Sequence, residues 1–312
     1  MALDSRCIFG IDEAGYGPLL GPMVVARADF VVPGLVEWQG EFTNGKRVLV
    51  DDSKRIMSQR GGLAKLEAVL LALELLKSGR FPTTLRAWLL KDPSPRRRSG
   101  LLELPWYSDL DVPLPCFASS EQIENICQVM SRSHLPWPSW WSGIQLVVLS
   151  ENQFNRELTI RQNKHDLVFS QVLELMNSCI LKGGSGHFLV DKLGGRSHYL
   201  AHLEGYFPFV SITRFSECRA HSRYQLEMES GRWDLEFAMK GDALFLPIAL
   251  ASMAAKYTRE LLMSQFNFYW AKQSPKVRPT AGYWQDGQRF LQELEAAGSL
   301  DPAVRRRLVR TR

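Results

Sequence analysis

The sequence predicts an α/β fold. Short apolar runs suited to strands alternate with longer segments of helical period, and Gly- or Pro-rich turns stand where one period gives way to the other. A 45% hydrophobic content over 312 residues is enough to fill one large core or two modest ones. Taken in order, residues 6–12 and 22–32 read as strands joined by the tight turn 15–22, a plausible antiparallel hairpin. Residues 46–50 read as a third short strand. Leu63, Leu66, Leu70, Leu73 and Leu76 then repeat at helical spacing until Gly79 stops the helix. Residues 85–90 read as a strand.

Residues 91–143 break the alternation. They are rich in Pro and Trp, with a basic triplet at Arg96, Arg97 and Arg98 and a cluster of Trp137, Trp140 and Trp141. The stretch reads as an insertion, either a Trp-rich cap packed on its own domain, the reading we favour, or a contact surface for single-stranded nucleic acid. Within it Ser119 and Gln122 have the spacing of a capping box. Alternation resumes with a strand at 144–149, a helix at 166–181 ended by Gly183-Gly184, and strands at 187–191 and 209–214. Residues 223–228 and 233–239 alternate around a turn at 229–232, a hairpin pattern. A long apolar helix is expected at 243–265, where Pro247 is tolerable only in the first turn. A helix at 285–297 closed by Gly298 follows, then a short one with Asp301 as cap and Pro302 at its first position.

Lys plus Arg number 38 and Asp plus Glu 33, a net charge of +5, which permits a polyanionic partner without requiring one. The 45% hydrophobic content excludes dominant disorder, and 23 Gly and 16 Pro give no sign of a fibrous or low-complexity chain. Five scattered cysteines without a CxxC pair argue against a disulfide framework and a thiolate zinc site. The N-terminal residues lack the basic start and apolar run of a signal peptide, and the longest apolar stretch, 243–255, is too short to span a bilayer. A cytoplasmic protein working as a monomer, with no membrane contact, is the expectation.

The chemistry concentrates on carboxylates. In Gly10-Ile11-Asp12-Glu13-Ala14-Gly15-Tyr16-Gly17-Pro18 an apolar strand delivers Asp12 and Glu13 into a Gly-rich turn. Successive strand side chains point to opposite faces, so both reach one site only if the strand ends or twists there, which Ala14-Gly15 permits. Asp191 ends another apolar strand, and Asp242 stands directly before the long apolar helix, where it would also serve as a cap. Each alone has an ordinary reading as a solvated turn or a helix cap. Together they are four carboxylates at the ends of elements able to pack side by side, and oxygen ligands without Cys or His suit Mg²⁺ or Mn²⁺.

These motifs, in this order, resemble the type 2 ribonuclease H family (ribonuclease HII). Asp12-Glu13-Ala14-Gly15-Tyr16-Gly17-Pro18-Leu19-Leu20-Gly21-Pro22 resembles the family's opening motif, Asp52-Ser53-Lys54 its DSK motif, and Val190-Asp191 its strand-ending VD. Asp242 with the run Ala251 to Glu260 resembles the fourth carboxylate and the helix that follows, and Gly282-Tyr283 stands where the family has GY. The resemblance leaves out residues 91–143 and a hairpin at about 222–238, both read as insertions. It implies a ribonuclease H-like mixed sheet flanked by helices over residues 1–265, and a C-terminal helical substrate-binding segment over 266–312.

The resemblance further implies an endonuclease that hydrolyses the RNA strand of RNA/DNA hybrids or ribonucleotide-containing duplexes. Asp12, Glu13, Asp191 and Asp242 would hold two divalent cations, Mg²⁺ or Mn²⁺, one activating water and one stabilising the departing 3′ oxygen, to leave 5′-phosphate and 3′-hydroxyl ends. Backbone amides of Gly15, Tyr16 and Gly17 would read the 2′-hydroxyl, Tyr283 would stack on a sugar, and Ser53, Lys54, Lys256 and Arg259 would meet phosphates. The chain departs from the family at Tyr16, where a basic residue is usual; metal chemistry is expected to survive that change, while handling of substrate beside the cut is expected to differ. Five arginines in the last eight residues suggest non-specific phosphate binding. A catalytically silent binder on the same fold, or a nuclease for another structured nucleic acid, are the competing readings.

Overall fold

Alternate side chains of the first strand, β1 (Ser5–Ala14), are buried on opposite faces, Ile8 in one hydrophobic cluster and Phe9 and Ile11 in another. The second strand, β2 (Met23–Pro33), does the same with Val24, Ala26 and Ala28 on one side and Met23 and Val25 on the other. A strand apolar on both faces belongs inside a covered sheet, and the computed structural model has that arrangement. It describes residues 5–33, 42–44, 47–132, 137–161, 163–194 and 196–311. Lys46 and Arg312, which belong to the expected third strand and the basic tail, lie outside the described residues, as does the side chain of Trp137.

The chain continues through β3 (Phe42–Asn44), β4 (Arg47–Val50), α1 (Ser53–Met57), α2 (Gly62–Ser78), α3 (Leu85–Leu89), α4 (Pro95–Leu102), α5 (Ser120–Ser131), α6 (Trp137–Trp140) and β5 (Trp141–Leu149). Then come α7 (Glu151–Arg161), α8 (Lys164–Ile180), β6 (Gly186–Asp191), α9 (Leu200–Tyr206), β7 (Ser211–Glu217), β8 (His221–Met228) and β9 (Gly231–Ala238). The last helices are α10 (Leu246–Gln273), α11 (Trp284–Ala296) and α12 (Pro302–Leu308). Seven strands form one sheet in the order β5-β2-β1-β6-β9-β8-β7, and β3 and β4 pair separately. β1 is antiparallel to β2 and parallel to β6, and β6 is parallel to β9. The result is a mixed sheet flanked by helices, as the sequence predicts. Residues of α2 and α10 cover one face of it, and residues of α8 the other.

The capping predictions hold: Ser119 and Gln122 form the reciprocal box, Asp301 accepts from the N–H groups of Ala303 and Val304, and Pro247 lies in the first turn of α10. Residues 85–90 are a correction. They form α3, because the Thr84 hydroxyl caps the Ala87 N–H at 3.1 Å while the Leu85 and Arg86 N–H groups go to carbonyls of Val112 and Leu110. The hairpin read as an insertion joins the main sheet, residues 233–238 of β9 pairing with β6. The boundary set at 265/266 falls within α10, which crosses it unbroken.

The Trp-rich segment packs on its own domain. Trp106 is buried, with its ring 6.0 Å from Phe266 and 5.9 Å from Trp270 of α10. Glu67 of α2, fully buried, accepts the N–H groups of Cys116, Phe117 and Ala118 and the hydroxyl of Tyr257. A buried carboxylate so fully bonded ties the segment to two core helices.

Candidate active site

Parallel pairing of β1 and β6 aligns Ile11 with Val190, so the next residues, Asp12 and Asp191, lie side by side on adjacent strands. Asp12 is 7% exposed, and its Oδ1 accepts the Glu13 N–H at 2.7 Å. Asp191 Oδ1 accepts the Gly241 N–H at 2.7 Å and so fixes the 3-10 turn Gly241–Ala243 that carries Asp242. A glycine in β1 permits this convergence: a Cβ on Gly10 would lie 2.0 Å from the carbonyl carbon of Pro247, so only glycine lets the first turn of α10 come this close. Asp12 with Glu13, Asp191 and Asp242, from three distant places in the sequence, thus bear on one another at one end of the sheet.

Their proton affinities record the meeting. Burial, then the charges of Glu13 and Asp191, hold Asp12 well above the usual carboxylate range, against a bond from the Ser252 hydroxyl. Burial and Asp191 push Glu13 up to about 7, and burial with Asp52 and Asp191 pushes Asp242 up to about 6. Asp191 is raised by burial too, against the Gly241 N–H and Lys54 that favour its charged form. Burial pulls Lys54 down, but Asp52, Asp242, Asp12 and Asp191 together hold it above its ordinary value. Lys54 is therefore a cation on the rim of this acidic group, and it is exposed.

Among the described residues no three His, Cys, Asp or Glu side chains are drawn together as the ligands of one ion. The donor set is nevertheless oxygen only, the carboxylates bear on one another electrostatically, and Glu13 Oε2 is buried without a hydrogen-bond partner. That combination fits a hard divalent cation.

Beside the carboxylates lies the turn 15–17. Gly15 takes the left-handed backbone (φ 91°), where a Cβ would lie 2.6 Å from the Pro22 carbonyl oxygen. The half-buried Tyr16 ring lies 5.6 Å from that of His165, and Gly17 is exposed. The Leu19 and Leu20 N–H groups both donate to the Gly282 carbonyl, at 2.8 and 3.1 Å, which sets the half-exposed Tyr283 next to the turn.

Two expected phosphate ligands stand elsewhere. Arg259 is 1% exposed, donates to the Ala281 carbonyl at 2.9 Å and lies 5.6 Å from the centre of the Tyr283 ring, so it supports the turn from below. Ser53 is buried with its Oγ 2.9 Å from that of Ser252, linking α1 to the serine that bonds Asp12. Lys256 pairs with Glu260 at 2.7 Å. The basic tail is corrected as well: Arg310 is buried and faces inward, although Arg305 and Arg306 are exposed. Sequence reasoning missed Ser252, the fifth carboxylate Asp52 and the inward role of Arg310. Asp52 and Ser252 both stood in motifs already singled out, whereas one Arg among five gave no signal.

No protein-family model and no curated protein matches the chain. Its fold is similar to ribonuclease HII in the PCNA complex from Archaeoglobus fulgidus, at 16% identity over 98% of this chain and 94% of that one, with a TM-score of 0.43. It is similar also to Bst-ribonuclease HIII in complex with Mn²⁺ (16% identity, 99% and 67% covered, TM-score 0.42) and to ribonuclease H2 from Pyrococcus horikoshii OT3 (15%, 96% and 93%, 0.38).

Proposed function

We propose that the chain is a divalent-cation-dependent endoribonuclease that hydrolyses the RNA strand of RNA/DNA hybrids, leaving 5′-phosphate and 3′-hydroxyl ends. The observation that carries this reading is the meeting of Asp12, Glu13, Asp191 and Asp242, all with raised proton affinity, at one end of the sheet. Uncompensated acids repel a phosphate backbone, so their gathering makes sense with cations that reverse the sign of the local field. When bound between these four side chains, a pair of divalent ions would make water a nucleophile near neutral pH and neutralise charge on the departing 3′ oxygen. Asp191 orients Asp242 through the Gly241 N–H, Ser252 orients Asp12, and exposed Lys54 meets a phosphate at the rim. The amides of the Gly15-Tyr16-Gly17 turn read the 2′-hydroxyl, which distinguishes RNA from DNA, and Tyr283 stacks beside it.

The test is cleavage of end-labelled duplexes in Mg²⁺ and in Mn²⁺, comparing an RNA/DNA hybrid, a duplex with one embedded ribonucleotide, and plain DNA. The hybrid is expected to be cut and the DNA left whole. Asp12→Asn is expected to lower cleavage on the order of 10³-fold while leaving hybrid affinity nearly unchanged. Binding without cleavage under either metal would instead identify a silent binder, and cleavage of another structured substrate in preference would redirect the assignment.

A further inference from the structure

Arg310 is placed unlike the other described arginines after residue 300. It is 2% exposed, its guanidinium carbon lies 3.7 Å from the centre of the Phe154 ring, and its backbone N–H donates to the Leu19 carbonyl at 2.9 Å. Asn155 of α7 holds the backbone on either side of it, donating to the Val309 carbonyl at 2.9 Å and accepting the Thr311 N–H at 2.7 Å. Its guanidinium donates from Nη1 to the Gly15 carbonyl at 2.5 Å and from Nη2 to the Tyr16 carbonyl at 3.2 Å. One rigid fork thus grips two successive peptide units from the buried side.

A trans peptide is planar, with its N–H directed opposite to its C=O. The peptide whose carbonyl is Gly15's carries the Tyr16 N–H, and the peptide whose carbonyl is Tyr16's carries the Gly17 N–H. With both carbonyls held toward buried Arg310, both N–H groups face outward, and neither has an acceptor among the described residues. The space there is open: a Cβ on Gly17 would meet nothing within 4 Å. Two adjacent outward amides form a small concavity that favours an oxygen with lone pairs.

We propose that Arg310 is a positioning residue for substrate selection, fixing the Tyr16 and Gly17 amides so that their N–H groups donate to the 2′-hydroxyl oxygen of a ribonucleotide. The inference rests on the nuclease reading above and adds the device that orients its ribose-reading turn. Lys in place of Arg310 keeps the charge against Phe154 but cannot span two carbonyls, so the peptide units regain rotational freedom.

The experiment measures binding in EDTA, which prevents cleavage, of a duplex containing one ribonucleotide and of the same duplex in all-DNA form. The wild type is expected to prefer the ribonucleotide duplex. Arg310→Lys is expected to shrink that preference at least about fivefold, with all-DNA affinity within about twofold of wild type, since one neutral hydrogen bond is at stake. A merely structural role would weaken both affinities together and leave the ratio unchanged; that outcome overturns the proposal while the nuclease reading stands. Wild type that neither discriminates nor cleaves overturns both. Should Arg310→Lys fail to fold, the wild-type amide resonances decide: those of Tyr16 and Gly17 must shift with the ribonucleotide duplex and not with DNA, and equal shifts sink the proposal.

Discussion

Glu151 is fully buried and takes no part in the proposed chemistry, yet it dictates a pH dependence. Burial pushes its carboxyl up to about 7, against the Tyr107 hydroxyl that donates to it at 3.1 Å and the nearby Arg310 charge. A carboxyl with a raised folded-state pKa holds its proton where the unfolded chain has lost it, so stability falls as pH climbs from about 4.5 through about 7. The span corresponds to roughly 3 kcal/mol at most. Urea titrations at pH 5 and pH 8 should show a drop that is smaller by about this amount in Glu151→Gln; an equal drop would mean the group is not the source. At Gly17 the expectation is steric. Gly17→Ala has room in the free protein and should leave the melting temperature unchanged, yet it places a methyl group where the substrate approaches and should weaken hybrid binding, measured by fluorescence anisotropy, about tenfold.

Between β1 and α10 the fit is closer still. Gly10→Ala would drive its methyl into the backbone of Pro247 and Ile248, which cannot yield as a flexible side chain would, and should cost about 3 kcal/mol in denaturant unfolding. This contact also marks the limit of what the sequence discloses. β1, β2, α2, α8 and the hairpin of β8 and β9 were legible because each has a clean hydrophobic period and a Gly or capping residue at its end. The α3 segment was misread because five apolar-rich residues suit either structure, and a cap from Thr84 together with carbonyls more than twenty residues away decided the matter. The helices α7 and α9 carry no strong apolar stripe of their own. At the site, the four carboxylates and the Gly-rich turn stood out as motifs, whereas the inward course of Arg259 and Arg310 depends on which carbonyls long-range packing brings near, which local pattern does not encode.

Across the whole molecule the carboxylates converge from three places in the chain, so a ligand that bridges them ties distant segments together. Divalent cation at a hundredfold excess over its dissociation constant should therefore stabilise the protein by about 2.7 kcal/mol. Calorimetric melts with Mg²⁺ and with EDTA should differ for wild type and coincide for Asp191→Asn; a shift that persists in the variant would place the ion elsewhere. The chain's net charge of +5 does not oppose approach of a polyanion, and among the described residues no helix is long and apolar enough to cross a membrane.

The guanidinium that grips the Gly15 carbonyl lies 295 residues further along the chain. A ribosome therefore releases all four acids, Asp242 being the last, before it releases the residue that locks the turn beside them. On the proposed reading, the side chains for cutting are thus synthesised before the one that fixes the amides for choosing what to cut.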